Sequence, residues 1–398
     1  MLNKIKAFML SRKAVVLLAV FIAYAFFSVN NAYALFEVSI KKLRNLPKSY
    51  QYPAYIGDNK LFFAGDYKEK KSNKPEKITC ASVYDMKKQK NIPLNACMNI
   101  PRSMYISIAL PEDRVLVLGG DNRRNTKELR QTDGRNAEIY DIKTNKFRVI
   151  GNSNFEHRYS SEYLKLSSGK ILILGNASQV EIFDPKTEKF EIPGELLFKT
   201  HNTIPKALIK EKPYYNYYNI PGSCYASQPV ELNDGKVFFA AHGCSSYDDD
   251  SKNTAIYYPK TNKITVGPSQ INLSSNSTRG VSKLSDGRVI LIGVRNYKDE
   301  RECEIYDPKT NTFTKTGKLK HGRRNACAFN LKGKTYVYGG STGELIFERF
   351  LKTLEVYNEK TEKWKTVWNL EARGGFCPAV QISDKEVFLG WGVLIKAR

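Results

Sequence analysis

Two hydrophobic patterns alternate along this chain. The first is a continuous apolar run that starts on a charged residue and ends on small ones. It occurs seven times, at residues 60–65 (KLFFAG), 114–120 (RVLVLGG), 170–175 (KILILG), 236–241 (KVFFAA), 288–293 (RVILIG), 334–340 (KTYVYGG) and 386–392 (EVFLGWG). A short all-apolar run bounded by turns is a strand buried on both faces. Turns such as Ser168-Gly169, Asp234-Gly235 and Asp286-Gly287 just before the run mark a hairpin, with glycine supplying the positive φ.

The second pattern is CEIYDPKTNTF at 303–313, repeated as AEIYDIKTNKF (137–147), VEIFDPKTEKF (180–190), AIYYPKTNKI (255–264), LEVYNEKTEKW (354–364) and, in worn form, ASVYDMKKQKNI (81–92). Each copy is a strand rich in aromatic and β-branched residues, a turn with Pro, Asn or Asp, and a second strand opening on an aromatic residue or Ile. Proline pre-sets φ, and Asp or Asn bonds back to the turn backbone, so this unit is a second hairpin. Two hairpins per repeat make a four-stranded antiparallel sheet, and sheets at this spacing are propeller blades.

Seven first hairpins face six second hairpins, so one fourth strand is missing. The stretch 36–46, FEVSIKKLRNL, echoes 313–323, FTKTGKLKHGR, and supplies it. An N-terminal strand added to the C-terminal blade removes the open edge of the ring. The expected fold is all-β, a seven-bladed β-propeller of four-stranded antiparallel blades over residues 35–398, with an inter-blade insertion at 194–224.

At this point the chain resembles the kelch-repeat family. The carriers are the glycine pair after the second strand, then Tyr, then an aromatic residue seven positions later. The sixth blade has Gly339, Gly340, Tyr357 and Trp364, and the second has Gly119, Gly120 and Tyr140 with Phe147 in place of Trp. The resemblance implies a propeller like the central domain of galactose oxidase. It says little about function, because that family spans enzymes, adaptors and cell-surface binders.

Charge adds a direction. The formal net charge is +23, and only Lys4, Lys6, Arg12 and Lys13 lie in the first 34 residues, so about +19 stays with the remainder. A basic surface attracts polyanions. The absence of an arginine-rich run, zinc-ligand spacing or RNA-binding aromatic motif argues against nucleic acid as the partner. A basic start, an apolar run at 14–27 and Ala32-Tyr33-Ala34 read as a secretory signal peptide cleaved after Ala34, with an uncleaved anchor as the alternative and the only membrane contact expected. Either way the propeller is expected to be periplasmic or secreted. Oligomeric state is not legible.

In a propeller of this family the crossings between blades and the starts of the first strands share one face. Arg102, Arg158 and Arg373 each lie 17 residues before an anchor glycine, Arg323 lies 16 before, and Arg279 is slightly offset. Placed round the channel mouth, they would hold a carboxylate, sulfate or phosphate by bonds worth roughly 1.5–3 kcal/mol each when shielded from water. The alternative is that they staple neighbouring backbone carbonyls. Tyr214, Tyr215, Tyr217 and Tyr218 in the 194–224 insertion suit sugar stacking or protein contact.

Seven cysteines in an exported chain invite disulfides. Cys224 and Cys244 flank one hairpin and form the first expected pair; Cys80 and Cys97 bracket another and form the second; the pairing of Cys303, Cys327 and Cys377 stays open. His157 beside Arg158 and Glu162 is the one local acid–base cluster. The four histidines show no metal-ligand spacing, no adjacent Tyr-His pair suits a copper-radical site, and no cofactor is expected. The sequence therefore supports a module binding an acidic glycan, peptide or cell-surface polymer, carbohydrate or protein, at an arginine-lined mouth. The alternative is a sugar-acid epimerase of the sialic-acid type, or another carbohydrate-active enzyme, using the same mouth.

Overall fold

A computed structural model describes residues 38–47, 53–68, 77–103, 105–120, 134–157, 161–174, 180–194, 225–226, 228–242, 254–271, 280–293, 300–343, 349–370, 379–390 and 392–398. These form seven antiparallel blades, and no helix occurs among them. Blade 2 shows the order: Ile106–Leu110 innermost, then Arg114–Leu118, Asn136–Asp141 and Lys146–Asn152 at the rim. Blades 1, 3, 5 and 6 repeat it. In blade 4 the innermost strand is split into Tyr225–Ala226 and Val230–Glu231, both paired with Val237–His242.

Ring closure follows the expected route. Val38–Lys42 pairs antiparallel with Val393–Ala397, Val38 opposite Ala397 and Lys42 opposite Val393, and so becomes the fourth strand of blade 7. The signal-peptide region lies outside the described residues.

The core is divided among the blade interfaces. Seven hydrophobic clusters are present, one between each pair of neighbouring blades; Phe62, Val115, Val117 and Tyr140 join blade 1 to blade 2, and Phe238, Leu291 and Tyr306 join blade 4 to blade 5. Second-strand residues such as Leu116 and Val117 are fully buried, which explains the unbroken apolar runs: their two faces serve two different interfaces. Each such side chain contributes about 1.5–3 kcal/mol.

The hairpin repeat is explained residue by residue. Asp141, Asp184, Asp307 and Asn358 accept backbone N–H bonds from the second or third residue after them. Asn145, Asn262 and Asn311 take positive φ at the end of the turn, and Tyr140, Tyr257 and Tyr306 each donate their hydroxyl to that asparagine at 2.8–3.0 Å. The short polar side chain of Asn tolerates the left-handed region. Tyr and the turn's Asn are thus one unit, five residues apart.

Candidate functional site

The starts of the first strands, the crossings between blades and the second-to-third loops lie on one face. There the second residue of the repeat decides the local chemistry. Glu138, Glu181, Glu304 and Glu355 occupy the same place on the third strands of blades 2, 3, 5 and 6, and all are fully buried. Glu138 accepts from the backbone and side-chain amides of Asn99 at 2.8 Å, from Ile100 N at 3.1 Å and from Arg102 Nη2 at 2.5 Å. Glu355 accepts from Lys320 N at 2.8 Å, from both the backbone and Nδ1 of His321 at 3.1 Å, and from Arg323 Nη2. Each carboxylate therefore fastens the chain that crosses in from the preceding blade. Blades 1, 4 and 7 carry Ser82, Ala255 and Val393 instead, and blade 4 is the one reached through the long 194–224 crossing.

This corrects the arginine reading. Arg102 and Arg323 do not face the channel mouth: they are 2% and 0% exposed, and their guanidinium groups are committed within their own blades. Arg102 Nη1 donates to the carbonyls of Asn136 at 2.5 Å and Gly119 at 3.3 Å, and Arg323 Nη1 to those of Gly339 at 3.0 Å and Thr353 at 3.1 Å. Burial pushes both guanidinium pKa values down while Glu138 and Glu355 oppose the shift. An ionised pair this deep is held by its hydrogen bonds, and the one Arg102 donor without a partner, Nε, is itself buried away from any ligand. Arg158, Arg279 and Arg373 lie outside the described residues, as do Tyr214, Tyr215, Tyr217 and Tyr218.

His157 is corrected as well. It is fully buried, and its Nε2 bonds to Glu181, which also accepts from Asn154 N at 2.9 Å and Nδ2 at 3.1 Å. In blade 3 the histidine occupies the seat that Arg102 and Arg323 hold in theirs. The backbone repeats the equivalence: a Cβ on Gly119 would collide with the His157 carbonyl, and one on Gly293 with the Arg323 carbonyl. Both glycines have φ of +71°, which an L side chain rarely adopts. A buried, bonded imidazole of this kind is a fastener, not an acid–base catalyst in the mouth.

Glu162 behaves differently. It opens the innermost strand of blade 3, Glu162–Lys165, opposite Leu174. At the same level the innermost strands of blades 2, 5 and 6 present Ile106, Gly280 and Cys327. No hydrogen bond or ion pair to Glu162 is found among the described residues. Water reaches part of the side chain, yet protein packs round it, and burial raises its carboxyl pKa to about 7. Neighbouring Tyr163 is pushed to about 12, first by burial and then by Glu162.

Comparison with known proteins bears on this arrangement. The Kelch motif matches residues 322–367, which run from the Arg323 seat through both hairpins of blade 6. The chain is a seven-bladed β-propeller that carries a Kelch motif in blade 6. It is 35% identical over 94 residues to the spermatocyte protein spe-26 of Caenorhabditis elegans, a stretch covering 22% of this chain and 15% of that protein. Among solved structures it resembles a fungal alcohol oxidase of the AA5 family in complex with copper, with a TM-score of 0.58 over 88% of this chain and 71% of that one, at 15% identity. That likeness is one of fold.

The kelch signature in blade 6 now has a physical reading. Gly339 and Gly340 both have positive φ, and a Cβ on Gly340 would meet the Arg324 carbonyl. Tyr357 and Trp364 form a cross-strand pair with ring centroids 5.1 Å apart, and Trp364 is 2% exposed. Elsewhere, Cys80 and Cys97 form a disulfide across the outer hairpin of blade 1, with Cα atoms 4.2 Å apart. Cys224 and Cys244 lie outside the described residues.

The opposite face, where the tight turns lie, has a pocket of about 630 Å³ between blades 4 and 5. Its carboxylates are engaged locally: Asp234 pairs with Lys236 at 2.8 Å and Asp286 with Arg288 at 2.7 Å, while Asp307 caps its own turn. Around it the turns of the outer hairpins in blades 3 to 6 expose Lys186, Lys189, Lys260, Lys263, Lys309 and Lys360. None of these has a carboxylate partner among the described residues. Most nearby acids are occupied: Asp184 and Asp307 by turn amides, Glu188 by Arg114 and Arg148, Glu191 by Lys170, and Glu359 by Ser285, while Glu362 in the blade 6 turn is exposed.

Proposed function

We propose that this kelch-repeat propeller is an exported, non-enzymatic recognition module for a polyanionic partner, engaged through lysines of the turn face. The arc of exposed ammonium groups on blades 3 to 6 carries the reading, because most of their neighbouring carboxylates are already bonded elsewhere. Such an arc complements a ligand whose negative charges are spread over an extended surface, such as an acidic glycan or cell-surface polymer. Attraction of this type weakens as salt shortens the screening length.

The test uses dextran sulfate as probe and neutral dextran as control. The native protein binds the sulfated polymer in low salt and releases it as salt rises. Replacing Lys186, Lys189, Lys260 and Lys263 together by Gln lowers the affinity by about tenfold or more, on the basis of roughly 1 kcal/mol or less per exposed contact. Equal binding by the variant, or equal binding of neutral dextran, rejects the lysine arc.

A second reading, a carbohydrate-active enzyme of the sugar-acid epimerase type, draws on Glu162. A carboxyl with a pKa near 7 is suited to acid–base work. Turnover of sialic acid that is lost in Glu162→Gln supports it; absence of turnover removes it.

A further inference from the structure

We propose that Glu162 is the seat for a positively charged nitrogen, so that a ligand carrying a primary amine docks its ammonium group on this carboxylate at the channel mouth. The inference stands apart from the lysine arc, which lies on the opposite face and attracts the opposite charge.

Glu138 collects four donors, Glu355 four and Glu181 three, counting backbone and side-chain groups separately. Glu162 is half-buried and has no such partner among the described residues. Desolvating a carboxylate without a counter-charge is costly, and an approaching cation recovers that cost. Water reaches the side chain, so a small ligand can reach it too.

The surroundings select the ligand class. On the same face of the strand as Glu162, Leu164 packs against the apolar cluster between blades 3 and 4 that includes Leu166, Leu172 and Leu174. An anion placed there would meet the charge of Glu162 itself. An alkylammonium finds a complementary charge for its head and apolar surface for its stem.

Among the described residues, other titratable groups on the elements packed against Glu162 are few. Its own strand carries Tyr163 and Lys165, the innermost strand of blade 4 carries Tyr225 and Glu231, and His157, bonded to Glu181 of the third strand, lies just before the strand. The second strand of the blade, Ile171–Leu174, carries none. Tyr163 stays neutral across the relevant range, since its pKa is pushed to about 12. Ionisation of Glu162 therefore governs the site. A carboxyl whose folded pKa is raised is charged above that value, so cation binding is present at pH 8 and falls away as pH drops through about 7.

The experiment is an NMR titration of the full chain with n-butylammonium, which stays cationic throughout, at pH 6 and pH 8. The expected result is binding about tenfold tighter at pH 8, the change in ionised fraction across two units centred on the pKa. In Glu162→Gln, a substitution close in shape, binding is lost at both pH values. Three results overturn the proposal: no binding at pH 8, undiminished binding by the variant, or tighter binding at pH 6, which would indicate a protonated Glu162 donating to an anionic ligand. The pH comparison on the native protein needs no variant, so the test survives any folding defect.

Discussion

Glu355 and Glu162 are the same side chain in two positions of one ring, and the structure treats them in opposite ways. Glu355 lies on a third strand, fully buried, where the crossing from blade 5 delivers two backbone amides, His321 and Arg323. Glu162 lies on an innermost strand, and no described residue donates to it. The first is a fastener whose charge is satisfied. The second retains an unmet need for a donor or cation, and burial lifts its pKa to about 7. In this propeller, a carboxylate's role follows from whether the chain brings donors to it, more than from how deeply it lies.

The largest effect is expected from breaking a fastener. Glu355→Ala leaves the Arg323 guanidinium buried without its anion and should cost about 3–5 kcal/mol, read as a fall in the urea midpoint. Replacing both partners with apolar residues, Glu355→Leu with Arg323→Met, should recover much of that loss, because no charge is then stranded. A double variant no more stable than the single one would contradict the assignment.

Next comes the histidine seat. His157→Leu removes one of the bonds to Glu181 while Asn154 keeps its own, so the loss should be about 2 kcal/mol. Ligand binding by the surviving folded protein should be unchanged. If binding or turnover is abolished in folded His157→Leu, the residue belongs to a site after all.

Glu162→Gln should move stability the other way. With the folded pKa raised from 4.5 to about 7, the folded state holds a proton that the unfolded state has released across that window. Stability contributed by this group therefore falls as pH rises from about 4.5 to about 7 and is flat above. Allowing for solvent screening, the variant should be more stable than the native protein by about 1–2 kcal/mol at pH 8 and unchanged at pH 4. Thermal melts at the two pH values read the difference directly. The smallest effect is that of the lysine substitutions, within about 0.5 kcal/mol of stability despite the loss of polyanion binding.

Much of the ring could be read from the chain because its signals are local. The turn in CEIYDPKTNTF is set by residues within five positions of one another, and the likeness of 36–46 to the strand after it located the closing partner of Val393–Ala397. The fasteners were less legible. Glu138, Glu181, Glu304 and Glu355 stand in plain view at the second position of the repeat, but their donors come from more than twenty residues upstream. A polar residue between apolar neighbours then looks like an exposed strand position.

The arginines failed for a related reason. Spacing placed Arg102 and Arg323 correctly on the mouth side, but it carried no information about the buried carboxylate waiting for each. In blade 3, counting back a fixed distance from Gly175 lands on Arg158, whereas the seat belongs to His157. One additional residue separates it from the first strand. Glu162 was visible as a candidate only through its neighbours in sequence, and its distinguishing property, the lack of a partner among the described residues, exists only in the folded ring.

The most direct test of this contrast is a carbon-13 NMR titration of the glutamate side-chain carboxyls, with Glu162 assigned by comparison with Glu162→Gln. The account predicts a midpoint near pH 7 for Glu162. A midpoint in the ordinary glutamate range, about 4.3, would mean that the residue is solvated or paired, and would contradict it.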